Sequence, residues 1–144
     1  MFLHGGGTVT GFDALLPLAE HARLIVPNHP GFGASADDPS VDGFQDYVLH
    51  YLDLFDRLGL GELSLAGHSL GGCLAALLAI QQPQRVRRLA LAAQFGLRVP
   101  AHPTVDFFGI PQEEILSYLA ADMSVFAGVP MPPPPEFLRG DAAA

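Results

Sequence analysis

The sequence predicts an α/β fold in which short parallel strands alternate with helices that flank the sheet. Three observations support this fold class: short apolar runs typical of buried strands, longer stretches with apolar residues at helical spacing, and glycines or prolines at the changeovers. In chain order the segments read strand, helix, strand, helix, strand, helix, strand. This alternation indicates a parallel sheet with right-handed crossovers.

The predicted strands are four short apolar segments, residues 2–4, 24–26, 62–66 and 88–93. The first reads as the last residues of a strand, because a run of three glycines follows it. Pro27 closes the second, since proline has no N–H to donate to a sheet.

The predicted helices cover residues 12–21, 44–58, 70–81 and about 111–121. The second has the strongest periodic signal in the chain, with one apolar face formed by Phe44, Tyr47, Val48, Tyr51, Leu52, Phe55 and Leu58. Gly59 and Gly61 end this helix, and Pro83 stops the next one. Residues 70–81 are apolar nearly all round, which predicts a buried helix.

A chain of 144 residues, 49% of them apolar and 15% charged, is enough for one ordinary domain with a buried core. The seven basic residues are all arginine, against 15 acidic ones, and the net charge is −8. The absence of lysine excludes a Walker-type phosphate loop, a Schiff-base lysine and the strand lysine of kinases. The net acidity argues against a nucleic-acid partner, because phosphate binding needs clustered cations.

The single cysteine, Cys73, cannot form a disulfide within the chain, and no cysteine–histidine cluster has the spacing of a zinc site. We therefore expect no metal and a reducing compartment. The longest apolar run, residues 73–80, is far shorter than the roughly 20 residues of a membrane span. Since the N-terminus has no signal-peptide pattern, we expect a cytoplasmic protein without a membrane partner.

Residues 67–71 read Gly-His-Ser-Leu-Gly and match the pattern G-x-S-x-G between a predicted strand and a predicted helix. At such a turn a serine is held in strained backbone geometry with its hydroxyl clear of the sheet. The flanking glycines are needed because a Cβ there would collide with the neighbouring strand and helix. The helix N-terminus adds backbone N–H groups and a partial positive charge beside Ser69, which the motif predicts as a nucleophile.

Residues 4–7 read His-Gly-Gly-Gly and follow the end of the first predicted strand. Consecutive glycines let a backbone N–H turn toward an incoming oxyanion without a side chain in the way. A plain glycine turn is the alternative interpretation. The loop 31–36 also fits the pattern G-x-G-x-x-A of dinucleotide-binding folds, but Pro39 and a pair of aspartates prevent a helix from opening there.

The two motifs together resemble those of the α/β-hydrolase family. The loop 27–35, Pro-Asn-His-Pro-Gly-Phe-Gly-Ala-Ser, is similar to the family's Asp-x-Pro-Gly-x-Gly-x-Ser segment, with Asn28 in place of the aspartate. The resemblance covers residues 1–95 well and implies a partial hydrolase core, about four of eight strands, namely the third to sixth. In the family sheet the third and fifth strands are neighbours. The glycine run and Ser69 would therefore face one crevice at the carboxyl ends of the strands.

The resemblance also implies roles for individual residues. Ser69 matches the nucleophile, and His68 occupies the variable elbow position. The N–H of Leu70 and one N–H of the glycine run 5–7, best matched by Gly6, correspond to the oxyanion hole. The implied protein is a serine hydrolase of small acyl compounds, acting on a carboxylic ester, an amide or a C–C bond without a metal or organic cofactor. A serine at the elbow disfavours the dehalogenase and epoxide-hydrolase branches, which use aspartate there.

The sequence departs from the family pattern after Ser69, because the family's acid and base follow the elbow in the order Asp or Glu, then His. The only later histidine is His102, and Asp106 follows it, which reverses the order. Solvated polar roles are expected for His29 and His50. The 144 residues alone are expected to lack the acid and base, to be inactive, and to expose sheet edges that favour aggregation. A binding protein or a degenerate fragment on the same fold is the alternative.

Residues 96–144 are expected to form a lid or cap segment over the sheet, not a continuation of it. They combine prolines with scattered aromatic residues, and the run 132–135 predicts a stiff extended segment. Residues 140–144 are expected to fray. A separate linker is the alternative interpretation.

Overall fold

The structure is a computed structural model and describes residues 1–7, 11–102, 104–106, 109–111 and 114–126. Within them one sheet contains the strands β1 (Phe2–Leu3), β2 (Leu63–His68) and β3 (Val86–Ala92). The α-helices are α1 (Phe44–Arg57), α2 (Leu70–Gln81) and α3 (Ile115–Leu119). Shorter 3-10 helices span Phe12–Glu20, Pro83–Arg85 and Met123–Phe126. The α/β fold class predicted from the alternation of elements is confirmed.

The sheet order is β1-β2-β3, and both pairings are parallel. Leu3 of β1 is in register with Gly67 of β2, which in turn is in register with Leu91 of β3. The strand before the glycine run and the strand before Ser69 are therefore direct neighbours, although they are about 60 residues apart in the chain. Their carboxyl ends meet at one edge of the sheet, where open α/β sheets bind ligands.

The predicted strand over residues 24–26 is not a strand in the structure. The segment runs beside β1 on the side away from β2 and makes one backbone hydrogen bond to it, from Phe2 N–H to the Ile25 oxygen at 2.9 Å. Because β1 has only two residues in the sheet, and because Pro27 carries no N–H, no longer ladder forms here. The sheet of the described residues thus has three strands where four were predicted.

Helices α1 and α2 agree with their predicted ranges, whereas two other segments differ. The predicted helix over residues 12–21 is a 3-10 helix, and Pro17 inside it has no N–H for an α-helical hydrogen bond. The helix predicted near residues 111–121 is limited to Ile115–Leu119 within the described residues. The predicted extended run 132–135 and the frayed end 140–144 lie outside the described residues.

Local signals at its ends explain why α1 begins and stops where it does. The Asp46 carboxylate accepts the Gly43 N–H at 2.9 Å and so satisfies a free donor at the helix start. Gly59 has a φ of +64°, and the Leu60 N–H returns to the Phe55 oxygen at 2.8 Å. A glycine in the left-handed region is the usual end of a helix.

The core lies where α1 and α2 pack against β1 and β2. Its fully buried apolar residues are Leu3, Val48, Tyr51, Phe55, Leu65, Leu74, Ala75 and Leu78. Helix α2 was predicted to be buried on all sides, but it is not. Ile80 is 74% exposed on the face away from this core. Within the described part of the chain, α2 therefore shows a buried face and an apolar outer face.

No helix among the described residues combines the length and the apolar composition needed to cross a membrane.

The close approach of α2 to β1 predicts that Gly71 cannot carry a side chain. We expect Gly71→Ala to lower the free energy of unfolding of the complete protein by about 3 kcal/mol, because its Cβ would collide with the Leu3 carbonyl oxygen. Gly61→Ala is the matched control, since no described residue lies within 4 Å of a Cβ there. Urea unfolding of both variants measures the difference, and equal midpoints would contradict the prediction.

Candidate active site

Ser69 occupies the turn between β2 and α2, and its backbone is strained. Its φ of 51° and ψ of −118° lie in a region that L-residues rarely adopt. Among the described residues, Ala93 is the one other non-glycine residue with a positive φ. Strain of this kind costs about 1–3 kcal/mol and persists only where the surrounding structure holds it. The strained strand-to-helix turn agrees with the geometry predicted from the G-x-S-x-G pattern.

Close packing requires the glycines on both sides of this turn, as predicted. A Cβ on Gly67 would lie 2.7 Å from the Gly72 nitrogen, and one on Gly71 would lie 2.5 Å from the His4 carbonyl oxygen. Gly72 is confined as well, because a Cβ there would lie 2.8 Å from Gln94 Cβ. Real Cβ atoms essentially never approach other atoms this closely. The first turn of α2 can therefore contact its neighbours only because residues 71 and 72 are glycines.

Hydrogen bonds to the Ser69 carbonyl fix the orientation of the next peptide N–H. The Ser69 oxygen accepts from the Cys73 N–H at 3.1 Å and from the Phe95 N–H at 3.0 Å. A trans peptide is planar, with its C=O and N–H in opposite directions, so the Leu70 N–H points away from both donors. Among the described residues the structure gives the Leu70 N–H no acceptor. It is thus presented at the N-terminus of α2, where N–H groups bind anions.

The glycine run after β1 lies beside this helix end. The Gly71 N–H donates to the His4 carbonyl oxygen at 3.0 Å, which joins the end of β1 to the first turn of α2. A Cβ on Gly6 would lie 3.9 Å from Leu70 Cδ2. The two residues expected to supply the oxyanion hole are therefore next to each other and next to the elbow. Their donation to an oxyanion stays a prediction.

The glycine run differs from the elbow in its steric surroundings. A Cβ on Gly6 would meet Leu70 Cδ2 at an ordinary van der Waals distance. No described residue lies within 4 Å of a Cβ on Gly7. Packing within the described chain therefore does not require glycine at either position.

A hydrogen-bonded chain of three buried side chains lies under the glycine run, and it was not predicted. His4, His29 and Tyr51 are all fully buried. The His4 Nδ1 is 2.7 Å from the Gly5 oxygen, and the His29 N–H donates to His4 Nε2 at 3.1 Å. The His29 ring bridges the His4 carbonyl oxygen, 2.8 Å from its Nε2, and the Tyr51 hydroxyl, 2.5 Å from its Nδ1. The expectation that His29 is solvated is therefore wrong.

Each imidazole in this chain is held in its neutral form. Burial lowers the pKa of His29 from 6.5 to about 4, with the neighbouring His4 adding to the effect. Burial likewise lowers the pKa of His4, against a hydrogen bond to Gly5 that raises it. Burial also raises the pKa of Tyr51 well above its ordinary value, so its hydroxyl keeps its proton. The side chains of His4, His29 and Tyr51 are therefore uncharged at neutral pH, and their burial leaves no unpaired charge in the core.

The sequence did contain a signal for the hydrogen bond between His29 and Tyr51. Tyr51 lies on the predicted apolar face of its helix, and a buried tyrosine hydroxyl nearly always finds a hydrogen-bond partner. A polar side chain of a loop packed on that face was therefore to be expected. The histidine in the loop 27–35 is that partner.

The remaining histidines do not extend the site. His102 lies in an exposed turn, where its N–H donates to the Val99 oxygen at 2.9 Å. His50 was expected to be solvated, but it is half-buried on α1. Its ring lies edge-on to the ring of Tyr51, with 5.6 Å between the two ring centroids. His68 is half-buried at the last position of β2. In the part of the chain that the structure describes, no group of three or more His, Cys, Asp or Glu side chains could hold a metal ion.

Comparison with known proteins agrees with this geometry. The sequence profile of the alpha/beta hydrolase fold matches residues 1–128. A 2-hydroxy-6-oxo-2,4-heptadienoate hydrolase of Pseudomonas putida (strain F1) is 31% identical over 137 residues, which are 87% of this chain and 50% of that protein. A 2-hydroxymuconate semialdehyde hydrolase of Pseudomonas sp. (strain CF600) is 36% identical over 112 residues, 74% of this chain and 40% of that protein.

A solved structure shows the same architecture. The 2-hydroxy-6-oxo-6-phenylhexa-2,4-dienoate hydrolase from Rhodococcus sp. strain RHA1 superimposes with a TM-score of 0.60 at 26% identity, over 71% of this chain and 40% of that one. The chain belongs to the α/β-hydrolase fold family, and the relatives named here are hydrolases. It spans about half the length, or less, of the curated relatives it matches.

The lowered pKa of His29 predicts a loss of stability in acid. The unfolded chain takes up a proton near pH 6.5 and the folded chain only near pH 4, so the stabilising difference is present above pH 6.5 and is lost as the pH falls through about 4. We expect His29 to contribute about 3 kcal/mol to this loss.

The measurement is urea unfolding of the complete protein between pH 7 and pH 4. The acid loss should be smaller by about 3 kcal/mol in His29→Gln, which cannot titrate. His21→Gln, at an exposed histidine, is the matched control and should follow the unmodified protein. Identical pH profiles for all three proteins would contradict the assignment.

Proposed function

We propose that the protein is a serine hydrolase in which Ser69 attacks a carbonyl carbon. The observation that carries this proposal is the strained backbone of Ser69 at a strand-to-helix turn, with the glycine run and the N-terminus of α2 beside it. Strain at one non-glycine residue, held by glycines that packing requires, is typical of a site that presents a side chain for chemistry. Membership of a family whose named relatives are hydrolases supports it.

The proposed reaction is nucleophilic acyl transfer. A base takes the proton from the Ser69 hydroxyl, and the serine oxygen bonds to the carbonyl carbon of the substrate. The carbonyl oxygen becomes an oxyanion and accepts hydrogen bonds from the N–H groups of Leu70 and Gly6. Collapse of the tetrahedral intermediate expels the leaving group, which takes up the proton held by the base. Water then gives a proton to the base and attacks the acyl-enzyme, and the serine oxygen leaves with the proton returned by the base. We propose no residue of this chain as the base or the acid, and we expect residues 1–144 alone not to turn over substrate.

The proposed substrates are small acyl compounds. The names of the relatives are those of hydrolases of 2-hydroxy-6-oxo-dienoates and of 2-hydroxymuconate semialdehyde. Such a dienoate is the first substrate to test, with a p-nitrophenyl ester as a general acyl probe. No cofactor is part of the proposal, since serine, backbone N–H groups and a base supply the chemistry.

We also propose that residues 96–144 cover the crevice and influence which substrates enter it. Within 96–102, 104–106, 109–111 and 114–126, no residue pairs with the sheet. The elements found there are the short helix α3 and a 3-10 helix. Residues 1–95 would then form the core that carries the elbow.

The proposed nucleophile can be tested with a fluorophosphonate probe. We expect one adduct on the complete protein, at Ser69, and its loss in Ser69→Ala together with a fall in turnover of at least about a thousandfold. Ser64→Ala is the matched control, because Ser64 lies exposed on the same strand and makes no part of the turn. Labelling at another serine, or equal labelling in Ser69→Ala, would overturn the proposal.

The proposed oxyanion hole can be tested with two neighbouring glycines. Among the described residues nothing collides with an alanine at Gly6 or at Gly7, so both variants should fold normally. We expect Gly6→Ala to lower kcat by about 10- to 100-fold with little change in KM, because its Cβ puts a side chain next to the N–H that is proposed to donate to the oxyanion. Gly7→Ala should keep nearly full activity. Equal kcat values in the two variants would show that the glycines form only a turn.

A further inference from the structure

The His4 ring controls the direction of the Gly6 N–H. The C=O of Gly5 and the N–H of Gly6 belong to one planar trans peptide, and they point in opposite directions. The buried His4 ring holds the Gly5 oxygen at 2.7 Å from its Nδ1. When the ring draws this carbonyl toward the core, the Gly6 N–H must point away from the core.

This control requires one tautomer of His4. The Gly5 oxygen can only accept, so the Nδ1 of His4 must carry the proton. The Nε2 of the same ring accepts the backbone N–H of His29 at 3.1 Å and must therefore be bare. The loop that contains His29 thus selects the tautomer that holds Gly5.

The His29 ring also holds His4, through a hydrogen bond to its carbonyl oxygen, and has one tautomer of its own. Its Nε2 donates to the His4 carbonyl oxygen at 2.8 Å, because that oxygen can only accept. Its Nδ1 must then be bare, and it accepts from the Tyr51 hydroxyl at 2.5 Å. Tyr51 lies in the middle of α1 and is fully buried, so its hydroxyl is held in place by the helix.

We infer that Tyr51 and His29 are positioning residues for the oxyanion hole. The Tyr51 hydroxyl orients the His29 ring, which holds the His4 carbonyl oxygen, and the backbone N–H of His29 selects the His4 tautomer. Together these contacts fix the peptide orientation that presents the Gly6 N–H to the substrate. The inference rests on the proposed function in one respect, namely that the Gly6 N–H donates to the oxyanion. The orientation of the glycine run by Tyr51 and His29 does not depend on it.

The helix offers a matched control for the loss of one hydroxyl. Tyr47 lies one turn before Tyr51, its ring is 6.0 Å from the His29 ring, and its hydroxyl donates to the Pro30 oxygen at 3.2 Å. Tyr47→Phe therefore removes a hydroxyl bonded to the same loop without touching an imidazole nitrogen. If buried polar groups here serve only to hold the loop in place, Tyr47→Phe and Tyr51→Phe should behave alike.

A second pair of variants separates the effect of the hydrogen-bond donor at residue 29 from the effect of its side-chain volume. His29→Gln keeps an amide N–H where the His29 Nε2 donates to the His4 oxygen, whereas His29→Phe fills the space without a donor. Both side chains leave the backbone N–H of residue 29 in place. A positioning role predicts partial rescue by glutamine and none by phenylalanine.

The experiment applies two measurements, NMR and steady-state kinetics, to the same variants of the complete protein. Imidazole nitrogen NMR reports the tautomer of His4, and that of His29 in the variants that keep it, and the amide signal of Gly6 reports its peptide orientation. Steady-state kinetics with a p-nitrophenyl ester separates kcat from KM. We expect Tyr51→Phe and His29→Phe to shift the His4 and Gly6 signals and to lower kcat about tenfold at unchanged KM. Tyr47→Phe should do neither, and His29→Gln should lie nearer the unmodified protein.

The outcomes are distinct. Unchanged His4 and Gly6 signals in Tyr51→Phe would overturn the inference, and so would equal losses of kcat in Tyr51→Phe and Tyr47→Phe. If no form of the complete protein has hydrolase activity, the proposed function fails, and the NMR arm still decides whether Tyr51 and His29 orient the glycine run. If the signals shift as expected but kcat stays constant, the Gly6 N–H is not an oxyanion donor and the positioning role for catalysis is overturned.

Discussion

One backbone hydrogen bond, from the Gly71 N–H to the His4 carbonyl oxygen, holds the two halves of the candidate site together. It joins the end of β1 to the first turn of α2, and it forms only because residue 71 has no side chain to keep the two backbones apart. The same oxygen also accepts from the His29 ring, so a third segment meets at this atom. The glycine run can follow directly beside the elbow because the carbonyl that precedes it, that of His4, is fixed from two sides.

The strain at Ser69 is held by a second set of backbone contacts. The Ser69 N–H donates to the Ala92 oxygen, and the Phe95 N–H donates to the Ser69 oxygen, both at 3.0 Å. The chain after β3 must turn sharply to make both bonds, and Ala93 adopts a φ of 43° between them. The hydrogen bonds of Ser69 to Ala92 at the end of β3 and to Phe95 just after it therefore hold both strained residues and offset the cost of both. This explains why the elbow needs β3 as well as the strand that leads into it.

Much of the site was predictable, because elements with a strong periodic pattern or a motif tied to steric necessity are specified locally. The face of α1, the bounds of α2 and the glycines at 67 and 71 follow from spacing and from the space a Cβ needs. Residues 24–26 were misread because three apolar residues can lie beside a strand without forming a ladder. His29 was misread because loop residues are usually solvated, and its burial depends on α1, which is 15 residues further along the chain.

The buried imidazoles show why one orientation of the glycine run is preferred over others. Two neutral histidines have four combinations of tautomers, and three of the four ring nitrogens here face a group of fixed character: the oxygens of Gly5 and His4 accept, and the His29 N–H donates. If His4 carried its proton on Nε2, two donors would face each other and two acceptors would do so at Gly5. In a buried site each unmade hydrogen bond costs about 1–3 kcal/mol, so the other arrangements are sparsely populated. A polar network that is satisfied in only one way therefore gives the glycine loop a rigidity that its own side-chain-free backbone does not have.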